Sequence, residues 1–220
     1  MDEVANETTE TLTEQAPLVR KQRFLGQTID HKLYGVMEIY DDNQNLVAQQ
    51  TFDKGMLHGE SLKYDQFHKI SEKLTFHEGA LQGPAEFYKN GIPTMQTTFS
   101  KGKQDGETVF YDEGGLVRAR IQYVQGLKHG TFISYDPMGR TKQVLYYVQD
   151  LLEGPMTMYY PNGSPMESGY YTQGRRQGEF TSYYENGIIR QVLVFDEGRQ
   201  LSPPRLYDVN GYPTSLGIEG

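Results

Sequence analysis

The chain has 220 residues, 36% of them hydrophobic, no tryptophan and a formal net charge of −8. That apolar content is low for a compact two-layer domain, and no concentrated basic face exists to neutralise phosphates, which excludes nucleic acid and disfavours a membrane surface. Cysteine is absent, so disulfide and thiolate chemistry are excluded, and no run of about 18 apolar residues offers a spanning segment.

Residues 1–15 carry Asp2, Glu3, Glu7, Glu10 and Glu14 and no base, so −5 of the −8 lies there and −3 is left for the rest. Acidic, threonine-rich and poor in large apolar residues, residues 1–22 are expected to form a disordered tail. Their start lacks the basic and apolar stretches of a secretory signal, which places the chain in the cytoplasm. A mature exported chain preceded by an added Met would read the same way and be periplasmic. Arg20-Lys21-Gln22-Arg23 joins the tail to the body as a solvated entry strand.

From Gly35 onward the motif Gly-x-x-x-x-Tyr recurs seven times. The glycines are Gly35, Gly59, Gly83, Gly106, Gly130, Gly154 and Gly178, a 24-residue beat that slips once. The tyrosines are Tyr40, Tyr64, Tyr88, Tyr111, Tyr135, Tyr159 and Tyr183. A second aromatic follows in each unit: Phe52, Phe76, Phe99, Tyr123, Tyr147, Tyr171 and Phe195. Three residues on stands a second glycine, replaced only by Asp150 in the fifth unit. Self-similarity at this period means one small unit stacked many times.

Between the two aromatics lie turn formers: Asp41-Asp42-Asn43, the weaker Asp65-Gln66-Phe67-His68, then Asn90-Gly91, Gly114-Gly115, Met138-Gly139, Asn162-Gly163 and Asn186-Gly187. Asn-Gly favours a tight hairpin with positive φ at both residues. Each unit therefore reads as strand, tight turn, strand, then a glycine-bearing turn into the next. Glycine or proline interrupts every run before it reaches helical length, and no apolar stripe at i, i+3, i+4, i+7 is sustained. About fourteen strands at 4.8 Å spacing give a body of roughly 65 Å. Residues 23–200 form the array; residues 201–220 form a C-terminal cap and tail. In the cap, Arg205–Tyr212 keeps the Tyr and Asn-Gly beat, while Ser202-Pro203-Pro204 replaces the leading glycine and suits a final edge.

Gly178-Glu179-Phe180-Thr181-Ser182-Tyr183-Tyr184-Glu185-Asn186-Gly187 and the equivalent run Gly154–Gly163 resemble the MORN repeat in its bacterial variant form. The linking segments Gly55–Gly59 and Gly126–Gly130 are similar to that family's inter-repeat turn. The resemblance extends over residues 26 to 212. It implies an all-β fold, an elongated single-layer antiparallel sheet of about seven stacked β-hairpins. It also implies kinship with YwqK-like antitoxins and toxin-immunity proteins. Other MORN proteins bind lipid or scaffold complexes, and fold alone does not choose among these.

Searching the residues for chemistry yields no catalytic, cofactor or metal assignment. There is no Gly-x-Ser-x-Gly elbow and no phosphate-binding glycine loop. His58 and His129 share one repeat position before a leading glycine and read as turn residues. Glu38, Glu86, Glu107 and Glu179 fall in different units, roughly 10 Å apart or more, too far for paired acid/base work.

The repeat tyrosine and the second aromatic are placed on one face, with Leu74, Thr97, Ile121, Leu145 and Leu193. The opposite face then starts polar (Gln49, Thr51, Lys73, Thr75, Gln96, Thr98) and ends apolar (Val144, Tyr146, Tyr170, Val192, Val194), joined by Phe132, Met156, Met158 and Phe180 from first strands. An apolar face of this size needs either curvature or a partner. Phe132, Tyr146, Met156, Met158, Tyr170, Phe180 and Val194 are the expected partner-binding residues. The expectation is a non-enzymatic antitoxin or immunity protein that sterically blocks a protein toxin or effector with a basic surface. The competing class is a structural scaffold or lipid-associated module.

Overall fold

Two kinds of turn alternate along the chain and set its geometry. The computed structural model describes residues 21–214. Residues 1–20 of the expected tail and residues 215–220 lie outside the described residues, while Lys21 and Gln22 begin the first strand.

The first ten strands are β1 (Lys21–Ile29), β2 (Lys32–Tyr40), β3 (Leu46–Asp53), β4 (Met56–Tyr64), β5 (Ile70–His77), β6 (Ala80–Lys89), β7 (Ile92–Ser100), β8 (Lys103–Gln104), β9 (Gly106–Tyr111) and β10 (Val117–Val124). The others are β11 (Leu127–Tyr135), β12 (Thr141–Val148), β13 (Leu151–Leu152), β14 (Gly154–Tyr159), β15 (Pro165–Thr172), β16 (Arg175–Tyr183), β17 (Ile189–Asp196), β18 (Arg199–Gln200), β19 (Arg205–Tyr207) and β20 (Pro213–Thr214). No helix occurs among the described residues. Every pairing is antiparallel and joins chain neighbours, so the strands form one open sheet in sequence order. The short β8, β13 and β18 pair with the same partners as β9, β14 and β19, and each continues into them. Ahead of the first Gly–Tyr unit stands one added strand, β1, joined to β2 by a hairpin closed by Asp30-His31.

The turn assignment differs from the sequence expectation. The tight two-residue turns link one unit to the next: Lys54-Gly55 (φ 52° and 80°), Glu78-Gly79 (50° and 82°) and their successors. The turns inside the units are longer. At Asp41, N–H donates to the Asn45 carbonyl at 3.0 Å, and Gln44 N–H donates to the Asp41 carbonyl at 3.0 Å. The same two bonds close Asp65–Lys69, Asp112–Leu116, Asp136–Arg140, Tyr160–Ser164, Tyr184–Ile188 and Asp208–Tyr212. Only the fourth residue has positive φ, be it Gln44, His68 or a glycine. This is a type I turn with a left-handed bulge residue, which needs one glycine-like position and not two. The weak-looking Asp65-Gln66-Phe67-His68 segment is therefore a regular member. Asn90-Gly91 is the exception, a two-residue turn between Lys89 and Ile92 with φ of 56° and 84°. Its shorter loop lies between Tyr88 and Phe99, where the 24-residue beat slips to 23.

The leading glycines are not turn residues. Gln50 faces Ser61 and Phe52 faces Leu57, so Thr51 alone spans His58, Gly59 and Glu60. Gly59 takes φ 86° within that bulge, a conformation that a side chain would strain. His58, read from sequence as a turn residue, is in the bulge, 4.8 Å ring to ring from His77. Bulges of this kind recur in later units and add twist to the sheet.

Both edges of the sheet are stacked. On the tight-turn edge, Gly55 N–H donates to the Leu33 carbonyl at 2.9 Å, Gly79 to Leu57 at 2.8 Å, and so on to Gly198 and Arg176 at 2.9 Å. On the loop edge, the Tyr160 hydroxyl donates to the Tyr183 carbonyl at 2.7 Å and Tyr184 to Tyr207 at 2.9 Å. Each turn thus satisfies polar groups of its neighbour, which a lone hairpin leaves to water.

Candidate binding face

Register decides which side chains share a face. Ile39 faces Ala48, but Tyr40 faces Leu46, because one extra residue in the second strand, Val47, shifts the pairing by one. The shift recurs at every repeat tyrosine from Tyr64 to Tyr183, each time with one extra residue in the second strand. The repeat tyrosines and the second aromatics therefore occupy opposite faces, against the sequence expectation. Side-chain bonds agree: Tyr40 hydroxyl donates to Glu38 at 2.7 Å and Tyr111 to Gln96 at 2.5 Å, on the face away from Phe52 and Phe99.

The second-aromatic face is the core. Its central ladder runs through directly opposed or adjacent-strand residues: Ser61, Leu74, Ala85, Thr97, Thr108, Ile121, Phe132, Leu145, Met156, Phe180 and Leu193. Early rungs other than Leu74 are small or polar; late rungs are large and apolar. Leu145, Met156, Phe180 and Phe195 form the buried cluster, packed by Phe132, Tyr147, Met158, Tyr171 and Leu193. Phe180 stands edge-on to Tyr171 at 5.5 Å and to Phe195 at 5.3 Å, contacts worth about 0.5–1.5 kcal/mol each beyond burial. The Arg176 guanidinium caps both phenylalanine rings, 4.9 Å and 5.1 Å from their centroids.

The expected partner-binding set is thereby divided. Phe132, Met156, Met158 and Phe180 belong to the core cluster, not to a free face. Tyr146, Tyr170 and Val194 lie on the tyrosine face. Tyr146 is 38% exposed and Tyr170 47% exposed. In each early unit the residue at this position covers the next bulge glycine: a Cβ on Gly59 would lie 3.8 Å from Thr51, and one on Gly83 3.5 Å from Thr75. Tyr146 does the same over Gly154 at 3.5 Å. Tyr170 has lost that role, since nothing lies within 4 Å of a Cβ on Gly178.

The carboxylates on the tyrosine face are tied to neighbours. Glu60 pairs with Lys73 at 2.7 Å, Glu107 with Arg120 at 2.9 Å and Glu179 with Arg205 at 2.5 Å. Exposed pairs like these contribute little to stability but fix charge positions. Glu86 accepts the Tyr88 hydroxyl; this bond, with burial, pushes the Tyr88 pKa up to about 12. Burial raises Tyr123 and Tyr147 as well. Among the described residues, no group of three or more His, Asp or Glu side chains is placed to hold a metal ion.

Shallow clefts open along the loop edge. One of about 440 Å³ is lined by Leu116, Val117, Arg120, Tyr135, Pro137 and Met138. Its counterpart one repeat on is lined by Arg140, Thr141, Val144, Tyr159, Pro161 and Asn162. Between them lies a smaller one of about 280 Å³, holding Arg118 and Lys142. Sequence reasoning missed these clefts, because each is made by a loop and the loop of the next unit.

Residues 152–173 and 176–197 match the family model described as the MORN repeat variant. These are two repeats, β13 to β15 and β16 to β17, each carrying one bulge glycine and one repeat tyrosine. No curated protein matches the chain. Among solved structures, the GtfA/B complex bound to UDP and GlcNAc is similar at 13% identity over 60% of this chain, with a TM-score of 0.22. A mutant of S. aureus TarM, in complex with Fondaparinux, alpha-GlcNAc-glycerol and UDP, is similar at 11% identity over 64%, with a TM-score of 0.20. This chain spans 24% and 19% of those two chains.

Proposed function

We propose that this chain is a non-enzymatic protein-binding module, and within that class an antitoxin or immunity protein that sterically blocks a cognate bacterial toxin or effector. The observation that carries the reading is the pair Tyr146 and Tyr170, exposed on an open sheet face beside Val144 and Val194. Tyrosine is a favoured anchor at protein interfaces, since it offers a large rigid surface and a polar tip. MORN repeats suggest a binding or scaffold module, and the matched segments include Tyr170 and Val194.

The mechanism is occlusion. A few aromatic anchors supply affinity, and the ion-paired rim supplies specificity. The formal charge of −8 favours a partner with a basic surface, at least for the approach. The same charge disfavours anionic lipid. The cytoplasm is the proposed site of action.

Capture from the native host tests the reading. A single protein should co-purify with the wild-type chain, inhibit or be inhibited by it, and be lost from the Tyr146→Ser/Tyr170→Ser variant while that variant stays folded. Undiminished capture by that variant would place the surface elsewhere. The scaffold or lipid-associated class rests on the same repeats; co-sedimentation with anionic vesicles, without a protein partner, would favour it.

A further inference from the structure

We infer that the cleft between the fifth and sixth loops receives an acidic, apolar-anchored segment of the partner protein. This rests on the protein-binding reading above and names the chemistry of one contact within it.

Arg118 and Lys142 are equivalent residues one repeat apart, and both line this cleft. Each is the extra residue that shifts the register of its second strand, Arg118 between Val117 and Ala119 and Lys142 between Thr141 and Gln143. Both side chains line the cleft at the loop edge. Arg118 reaches Asp112 only at 3.9 Å, and its Nη1 has no hydrogen-bond partner. Lys142 has no carboxylate within 4 Å among the described residues. The one carboxylate lining the cleft is already engaged: Asp136 accepts Met138 N–H, Arg140 N–H and the Arg140 guanidinium at 2.7–3.0 Å. The first strands facing Lys142 carry Ile133 and Thr157 on this face, where other units carry Glu38 and Glu86. A loosely paired and an unpaired cation therefore meet here in a chain that is acidic overall.

The adjoining cleft supplies the apolar half. It shares Tyr135 and Pro137 with the cationic one. Leu116 is 56% exposed and Met138 77% exposed, where the next repeat has Arg140 and Asn162. A carboxylate between Arg118 and Lys142 thus brings a neighbouring apolar side chain against Leu116 and Met138. Charge complementarity and this apolar wall together select an acidic polypeptide over a basic one. The acidic contact is local; the basic surface proposed for the partner concerns approach to the whole chain.

Fluorescence anisotropy with two labelled synthetic peptides tests the assignment on the full chain. One alternates Leu and Glu, the other Leu and Lys. The Leu–Glu peptide should bind, with an affinity that falls as salt rises, and the Leu–Lys peptide should not. Arg118→Gln/Lys142→Gln should weaken binding about tenfold or more, and Met138→Asn a few-fold, with circular dichroism unchanged. Equal binding of both peptides, or an unaffected double variant, overturns the inference. So does binding of anionic vesicles, but not the peptide, through Arg118 and Lys142. If the peptide fails while a captured protein still depends on Tyr146 and Tyr170, the cleft assignment falls and the protein-binding reading stands.

Discussion

Gly169 leaves the space that the Phe180 ring fills. A Cβ built on Gly169 would sit 2.5 Å from two carbons of that ring, closer than any real contact, although the Gly169 backbone itself is unstrained. Phe180 is 2% exposed and joins Tyr171 and Phe195 in the largest aromatic cluster of the sheet. Gly169→Ala should therefore destabilise by about 1–3 kcal/mol through overpacking. Phe180→Ala should cost about 3–5 kcal/mol. Combined, the two should cost clearly less than their sum, because the alanine methyl enters space the ring has left. Urea denaturation of the four proteins measures this; strict additivity would show that the two groups do not compete for one volume.

Asp150 fills the turn position that is glycine in the other units, with φ 68°. It is tolerated because its Oδ1 accepts Lys128 N–H at 2.8 Å while its own N–H donates to the Lys128 carbonyl at 3.0 Å. Asp150→Ala keeps the left-handed backbone and loses the side-chain bond, so it should destabilise by about 1–2 kcal/mol. Asp150→Gly exchanges the same bond for relief of backbone strain and should lie within about 0.5 kcal/mol of wild type. Thermal unfolding ranks them; Ala and Gly behaving alike would remove strain as the cause.

The strands and both sheet edges were legible because glycine and tyrosine mark them at a fixed beat. Face parity was not. Tyr40 and Phe52 are an even number of residues apart, which puts them on one face if the pairing set by the Asp41–Asn45 loop runs on unshifted. Val47, the extra residue between Leu46 and Ala48 in the second strand, shifts the pairing by one, and parity inverts. The same shift follows the two-residue Asn90-Gly91 turn, so the loop motif does not carry the signal. With parity inverted, Phe132, Met156, Met158 and Phe180 move from the expected docking face into the core, and only Tyr146, Tyr170 and Val194 stay outside it. The Arg118–Lys142 cleft was out of reach for a different reason. Its walls are contributed by successive loops whose contact only the stacked sheet creates.

Thr97 and Thr108 form a hydrogen-bonded pair in the core ladder, their Oγ1 atoms 2.5 Å apart, and Thr108 is 0% exposed. Replacing one partner leaves a buried hydroxyl short of its mate. Thr108→Val should cost about 1–3 kcal/mol, whereas Thr97→Val/Thr108→Val should return much of that loss. The Gln104 amide, which donates to Thr97 at 3.3 Å, limits the recovery. A double variant less stable than either single one would mean that packing of the ladder, and not the hydroxyl pair, governs this site.

Tyr88 ties stability to alkaline pH. Its hydroxyl donates to Glu86, and this bond, with burial, lifts its pKa from the ordinary 10.0 to about 12. The folded chain therefore holds this proton where the unfolded chain has released it. The stabilisation is complete below pH 10 and is lost as pH climbs toward 12. At pH 8, Tyr88→Phe should be less stable than wild type because it lacks the bond. From pH 10 to pH 12 the gap should close, since the wild type alone loses the linked proton. Glu86→Gln removes the charged acceptor, so in that variant the gap to Tyr88→Phe should close at lower pH. Denaturation midpoints taken at pH 8, 10 and 11.5 decide it: a gap that stays constant across the series would show that Glu86 does not hold the Tyr88 proton.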